Sequence, residues 1–279
     1  MKNLSRFPIR ALLSAGILSL AVSAPALAGN VWITGHDDDY HRSVAASAAM
    51  NGALSFVRSG APSPTLPVLS FDHGSELTTF LTGLGVPYVN IDPNAGVPAA
   101  SNFDVTKYSA MVVASDTSCG GCDNNGTSSA NLAADSGPIA SFFNSGGGII
   151  GLAGASNTSY YDFLPSSAAN PGVVFNSFGF TTTAYGTALG IPAVNGDFPH
   201  NFFAFPGTDG MSALWKATET YTGDSSAGSL TDQPFSLAIA GATIGGGGFH
   251  HGVPEPSTLL LLGSGLTGLA MFRKRLRLK

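Results

Sequence analysis

The sequence is poor in charge, and in basic residues above all. Asp, Glu, Lys and Arg make up only 10% of its 279 residues, against roughly 25% in an average soluble domain. Residues 29–252 contain four basic and sixteen acidic residues, a net charge of −12. Such a domain repels the phosphates of nucleic acids and a bare anionic surface, so the composition excludes a nucleic-acid-binding protein. Cations, sugars and basic partners suit it better.

Familiar catalytic and nucleotide-binding motifs are also missing. The sequence contains no Gly-x-Ser-x-Gly elbow and no phosphate-binding loop that ends in Gly-Lys-Ser/Thr. Gly-x-Gly-x-x-Gly occurs at residues 146–151 and 263–268, but neither copy is predicted to follow a strand and open a helix, as a dinucleotide site requires. The motifs therefore give no support to a serine hydrolase, a kinase or a dinucleotide-binding enzyme.

The first 28 residues have the three parts of a secretory signal peptide. Three basic residues precede an apolar stretch at 11–22, and Ala26 and Ala28 provide the small residues of a cleavage site for signal peptidase. We therefore predict export, with a mature chain that begins at Gly29.

Residues 253–279 form a second three-part signal. Pro254, Glu255 and Pro256 are followed by the uncharged, mostly apolar residues 259–272 and then by five basic residues. This arrangement resembles the PEP-CTERM signal of Gram-negative bacteria, also known as the ice-binding protein C-terminal domain. The resemblance implies recognition by an exosortase, a membrane transpeptidase that cuts near the motif, and delivery to the cell surface or the extracellular polysaccharide matrix. Ice binding itself does not follow from it.

The length of the apolar segment favours a temporary anchor. Fourteen helical residues span about 21 Å, less than the roughly 30 Å of the hydrocarbon core of a bilayer. The positive-inside rule keeps the basic tail in the cytoplasm and places the rest of the chain outside. We predict a short transmembrane helix that holds the protein in the inner membrane only until it is processed.

Cysteine is scarce, since Cys119 and Cys122 are the only two in the chain. Export exposes them to an oxidising compartment, which favours a disulfide between them. A structural metal site would need a second pair of ligands, and a redox dithiol would need a helix directly after the first cysteine, where two glycines stand.

The middle of the chain predicts an α/β fold. Strands are expected at 31–34, 66–71, 86–91, 109–114 and 148–152, and helices at 40–57, 75–84 and 136–144. This alternation predicts an open parallel sheet with helices on both faces, in a flavodoxin-like order. Further short strands are expected at 172–175, 213–216 and 237–244. They complete one domain at 29–244, and a flexible Gly/His tether at 245–252 leads to the sorting signal at 253–279.

A second resemblance concerns the glycine-rich residues 144–155, together with residues 34–36 and 103–113. They are similar to the class I glutamine amidotransferase-like superfamily, and within it to the ThuA-like group. Amidotransferases carry a nucleophilic cysteine in the middle of a Gly-x-Cys-x-Gly turn, and ThuA-like members tend to carry histidine there; this chain has Ala153. A methyl group can neither attack a carbonyl nor hold a proton. The resemblance therefore favours a degenerate, non-catalytic domain, although it does not decide whether the chain is an enzyme.

Polar residues after the predicted strands define a candidate ligand site, because open α/β sheets bind ligands beyond the carboxyl ends of their strands. The candidate ligand or metal residues are His36, Asp37, Asp38, Asp39, His41 and Asp116. Mutual repulsion of the three adjacent carboxylates can be relieved by a helix N-terminus, by solvent or by a cation. Capping of a helix by Asp38 or Asp39, with the other carboxylates in solvent, is the preferred explanation. A divalent cation and a sugar are the alternatives, and His200 is expected mainly to pack.

These features predict an exported envelope or extracellular-matrix protein that is sorted by an exosortase. Its domain is expected to bind a ligand or partner without catalysis and without a cofactor. The alternative is a metal-assisted hydrolase or carbohydrate-active enzyme of amidotransferase-like fold, which would use His36, the Asp37–Asp39 cluster and Asp116. The expected partners are signal peptidase, the exosortase and an extracellular polysaccharide.

Overall fold

The computed structural model describes residues 29–119, 122–164, 176–203, 214–221, 224–225, 228–229, 232–245 and 248–251. The predicted signal peptide, the predicted strand at 172–175 and the sorting signal at 253–279 lie outside these ranges. Within them, no helix combines the length and the apolar character needed to cross a membrane.

Helices and strands alternate through the first half of the described chain. The helices are α1 Asp38–His41, α2 Val44–Arg58, α3 Glu76–Gly83, α4 Gly126–Ala134, α5 Ser136–Asn144 and α6 Ala184–Leu189. Three short 3-10 helices lie at Ala100–Asn102, Thr117–Cys119 and Tyr160–Phe163. The strands are β1 Gly29–Thr34, β2 Val68–Phe71, β3 Tyr88–Ile91, β4 Ala110–Val113, β5 Gly148–Gly151, β6 Phe180–Thr182, β7 Lys216–Tyr221, β8 Asp224–Ser225, β9 Gly228–Ser229, β10 Gln233–Gly245 and β11 Gly248–His251.

The main sheet is mixed, with the strand order β3-β2-β4-β5-β1-β10-β7-β6. The first five strands of this order are parallel, and β10 lies antiparallel beside β1. The fold is therefore α/β as predicted, but the sheet is not purely parallel. The flavodoxin-like order is not found either, because that order places the first strand between the second and third, whereas here β1 lies between β5 and β10. The 13-residue strand β10 gives β1 a hydrogen-bonded partner on its second edge.

Helices cover both faces of the sheet. Val31 and Ile33 of β1 pack in one core cluster with α5 and the 3-10 helix at 160–163. Trp32 points to the other face and packs in a second cluster with α2 and α3. The alternation follows from the pleat of a strand, whose successive side chains point to opposite faces. It explains why the central strands consist almost entirely of apolar residues.

The helix predicted at 40–57 is divided in two. Arg42 ends α1 in the left-handed conformation, with φ of 52°, and Ser43 then caps α2 by accepting a hydrogen bond from the backbone N–H of Ala46 at 3.0 Å. The helical periodicity extends across this break, so it could not show where one helix ended and the next began.

The predicted tether is partly a strand. Gly248–His251 forms β11, which pairs antiparallel with the end of β10. The sheet therefore extends to within a few residues of the sorting motif.

A buried charge should destroy this sheet. Val113 ends β4 with 1% of its surface exposed, so Val113→Asp should lower the free energy of unfolding by about 4 kcal/mol or more. Val44→Asp is the matched control, because Val44 is 88% exposed in the first turn of α2, where an acid is tolerated. Equal denaturation midpoints for the two variants, measured in urea, would contradict this arrangement of the core.

Candidate functional site

The loop that follows β1 forms the centre of the candidate site. It contains His36, Asp37 and the first two residues of α1, Asp38 and Asp39, and each of these residues has 1% or less of its surface exposed. The expectation that most of these carboxylates lie in solvent is therefore wrong. A buried carboxylate is costly unless a partner stabilises it, so each partner bears on function.

A second segment, residues 197–203, closes over this loop. The backbone N–H of His200 donates to the carbonyl of Gly35 at 2.7 Å, and His36 forms an isolated β-bridge with Pro199. A Cβ atom at Gly35 would lie only 1.6 Å from the carbonyl oxygen of Asn201. Glycine is therefore required at position 35 for the two segments to meet.

The aspartates do not cap a helix in the predicted way. Asp37 stands at the N-cap position of α1, but its side chain makes no capping hydrogen bond. Asp39 accepts hydrogen bonds from the backbone N–H of Ser115 at 2.8 Å and from its hydroxyl at 2.6 Å. Burial raises the pKa of Asp39 to about 7, against the opposing effect of these hydrogen bonds. Neither carboxyl oxygen of Asp38 has a hydrogen-bond partner among the residues that the structure describes, and burial raises the pKa of Asp38 well above its usual value.

His36 is paired with an acid from β7, which lies two strands away from β1 in the sheet. Its Nε2 lies 3.0 Å from Oε2 of Glu219 in β7, which is also buried. Glu219 accepts further hydrogen bonds from the hydroxyl of Ser236 at 2.7 Å and from the backbone N–H of Val194 at 2.7 Å. Burial lowers the pKa of His36, but the charge and the hydrogen bond of Glu219 outweigh it and raise that pKa to about 9.

Asp37 joins two histidines from different parts of the chain. Its Oδ2 lies 3.0 Å from Nε2 of His200 and 3.4 Å from Nε2 of His41. The other ring nitrogen of His41, Nδ1, lies 2.9 Å from Oδ1 of Asp197. The rings of His41 and His200 are nearly parallel, at an interplanar angle of 13°. We call Asp37, His41 and His200 the Asp–His–His triad.

Two polar atoms of the triad have no hydrogen-bond partner. Within the described part of the chain, these unpartnered atoms are Oδ1 of Asp37 and Nε2 of His200. Nε2 of His200 lies close to Asp37, but its orientation is not that of a hydrogen bond. Both residues are more than nine-tenths buried. The triad therefore combines close approach with unsatisfied polar atoms, which in native proteins calls for an explanation such as an ion or a bound molecule.

Asp116 belongs to a different network. Its Oδ2 accepts a hydrogen bond from the side-chain amide of Asn157 at 2.6 Å, and its Oδ1 accepts one from the backbone N–H of Ser118 at 2.9 Å. These contacts hold the loop after β4 against the loop after β5. Asp116 is thus satisfied by neighbouring residues, in contrast to Asp37 and Asp38.

The turn after β5 contains Ala153, which the predicted resemblance to amidotransferases placed at the position of their nucleophile. Two backbone N–H groups of this turn are already engaged. Ala153 is fully buried, and the backbone N–H groups of Gly154 and Ala155 donate to Oδ1 of Asn201 at 3.0 and 3.2 Å. An oxyanion hole needs such N–H groups to point at the substrate. Here the side chain of Asn201 occupies them.

Three residues of this site, His200, Asp197 and Glu219, were not expected from the sequence to contact the residues that follow β1. His200 was expected to pack, and neither Asp197 nor Glu219 was a candidate. The sequence offers only one weak indication for Glu219, which is that this acid stands in the polar run Thr218-Glu219-Thr220. Long-range contacts bring these residues to the loop after β1, so local sequence patterns could not identify them.

The cysteine loop lies beside the same aspartates. Cys122 is buried and disulfide-bonded, and its sulfur lies 3.6 Å from Oδ2 of Asp37. A sulfur in a disulfide carries no hydrogen, so it neutralises none of the charge of that carboxylate.

Comparison with known proteins identifies the end of the chain. Residues 252–275 match the model of the PEP-CTERM protein-sorting motif. No curated protein and no solved structure matches the sequence, and no family model supports the resemblance of the middle to amidotransferases. The chain therefore carries a PEP-CTERM sorting motif, which suggests an exported protein that is processed by an exosortase.

The ion pair of His36 predicts a loss of stability in alkali. A histidine whose pKa is raised on folding stabilises the fold fully below pH 6.5 and loses that contribution as the pH rises through 9. The free energy of unfolding should fall by about 3 kcal/mol across this window, as measured by urea denaturation at stepped pH. Glu219→Gln should abolish most of the slope, while His73→Gln, at an exposed His–Asp pair, should leave it unchanged. A flat profile for the wild-type protein would contradict the assignment.

We also predict that Cys119 and Cys122 are linked to each other in the exported protein. Neither should react with an alkylating agent until a reductant is added, as mass spectrometry of the alkylated protein would show. Because the enclosed loop is short, reduction should change the melting temperature little. Free thiols in protein recovered from the periplasm would contradict this pairing.

Proposed function

We propose that this chain is an exosortase-processed protein of the cell surface or extracellular matrix, with an α/β domain that binds a ligand without covalent catalysis. The match of residues 252–275 to the sorting motif carries the proposal. The apolar stretch and cleavage site near the N-terminus support it independently, because a sorting signal of this kind acts only on a chain that is exported.

Two features of the domain favour binding over catalysis. If the resemblance to amidotransferases holds, the nucleophile position carries the methyl group of Ala153, and the side chain of Asn201 accepts from the adjacent backbone N–H groups. Asp39 is held by Ser115, and Nε2 of the buried His36 pairs with Glu219, whereas Nδ1 of His36 has no hydrogen-bond partner among the described residues. The polar atoms left over belong to Asp37, Asp38, His200 and neighbouring groups, and they are suited to hold a ligand at the sheet edge.

A metal-assisted hydrolase is the second candidate, and Asp38 is the observation in its favour. A buried carboxyl group whose pKa is raised and whose oxygens have no partner is typical of a general acid. If the protein is a hydrolase, Asp38→Asn should stop hydrolysis of the substrate but leave substrate binding intact. A binding domain would show no turnover to lose.

The sorting proposal predicts the fate of the C-terminal segment. In a host that has an exosortase, the released wild-type protein should lack residues 259–279, because the enzyme removes the anchor after cutting near the motif. Glu255→Ala should still be exported but should stay in the membrane at full length. Mass spectrometry of the membrane and released fractions measures both outcomes.

Glu76→Ala is the matched control, since it also removes one glutamate but lies in the folded domain, where Glu76 pairs with Arg42. This variant should be processed like the wild-type protein. Recovery of an intact tail, residues 273–279, on the released wild-type protein would show that the sorting proposal is wrong.

A further inference from the structure

We propose that the Asp–His–His triad of Asp37, His41 and His200 is a binding site for one divalent transition-metal ion of the Zn²⁺ type. This inference rests on the proposed binding function and names its ligand. The three candidate ligand atoms lie within 4.8 Å of one another. They come from a helix turn after β1 and from the segment 197–203, which Gly35 allows to close over that turn.

The two distances from Asp37 to the histidines fit a small, tetrahedral ion. Ligand atoms about 2.0–2.1 Å from zinc stand about 3.3 Å apart at the corners of a tetrahedron. The carboxylate oxygen of Asp37 lies 3.0 Å from one imidazole nitrogen and 3.4 Å from the other. A modest adjustment would therefore place all three atoms at bonding distance from one ion.

The hydrogen bonding of His41 favours coordination. Nδ1 of His41 lies 2.9 Å from Oδ1 of Asp197, so a proton on Nδ1 makes a hydrogen bond and leaves the lone pair of Nε2 directed at Asp37. A lone pair that faces a carboxylate is repulsive unless a cation lies between them. A carboxylate that orients a metal-bound histidine in this way is common around zinc.

The types of ligand select the class of ion. Ca²⁺ and Mg²⁺ prefer oxygen ligands alone, whereas two imidazoles and one carboxylate are typical of zinc and neighbouring transition metals. Three protein ligands leave at least one position for water or for an external group. The rival explanation is that protons alone neutralise the triad, with both histidines charged and no metal bound.

The test measures zinc binding by the full-length chain, purified in detergent, with Zn²⁺, Ca²⁺ and Mg²⁺ as probes. The wild-type protein should bind one Zn²⁺ per chain, by elemental analysis and by competition with a chelator, and should bind Ca²⁺ and Mg²⁺ far more weakly. His41→Ala and His200→Ala should each abolish stoichiometric zinc. Asp197→Asn, which changes only the orienting residue, should weaken affinity by about 10–100-fold.

His73→Ala is the matched control, because His73 forms a similar pair with Asp92 at 2.9 Å but belongs to no group of three possible ligands among the described residues. It should bind zinc like the wild-type protein. His41 is partly exposed, so His41→Ala decides the matter if His200→Ala fails to fold by circular dichroism. No zinc on the wild-type protein, or unchanged affinity in His41→Ala, would overturn the proposal and favour neutralisation by protons.

The same variants separate this inference from the proposed function. His41→Ala should be exported and lose its C-terminal segment normally, because the triad is remote in sequence from the sorting motif. If the wild-type protein is processed normally but binds no zinc, only the metal site is contradicted. If it binds zinc but is not processed, only the exosortase proposal is contradicted.

Discussion

The burial of charge beside the carboxyl end of β1 is the constraint on which the rest of this structure depends. His36, Asp37, Asp38 and Asp39 are consecutive and inaccessible to solvent, and a buried, unpaired carboxylate costs several kcal/mol. The fold meets this cost at three of the four residues. Ser115 donates to Asp39, Glu219 pairs with Nε2 of His36, and two histidines approach Asp37. Asp38 has no hydrogen-bond partner among the described residues, and burial raises its pKa well above the usual value, which favours its neutral form.

The mixed sheet makes these partners available. β10 enters beside β1 and brings Ser236 and, through its other neighbour β7, Glu219 to the loop. A purely parallel sheet that ended at β1 would leave the second edge of that strand without a partner and His36 without its acid. The second half of the chain is therefore part of the site as well as of the fold.

The sequence predicted the local elements well and their assembly less well. Apolar runs located β1, β2, β4 and β5 within a few residues, because buried parallel strands have continuous apolar character. The order of the strands depends on the contacts of β10 with β1, which are about 200 residues apart in the chain and leave no local pattern. The same holds for the site, where the loop after β1 was a candidate but Asp197 and Glu219 were not. The capping interpretation was wrong because it assumed solvent around carboxylates that the segment 197–203 covers.

The sorting motif and the triad suggest complementary roles for the two parts of the chain. In the proposed function, the motif directs the exported protein to the exosortase, and the domain holds a ligand. This account makes the Asp–His–His triad the ligand-binding centre of the buried polar cluster. An anomalous difference map, collected at the zinc edge from crystals of the exported protein, tests that claim most directly. The account predicts one peak within bonding distance of Asp37, His41 and His200. A map with no peak there, or with its strongest peak elsewhere on the domain, would contradict it.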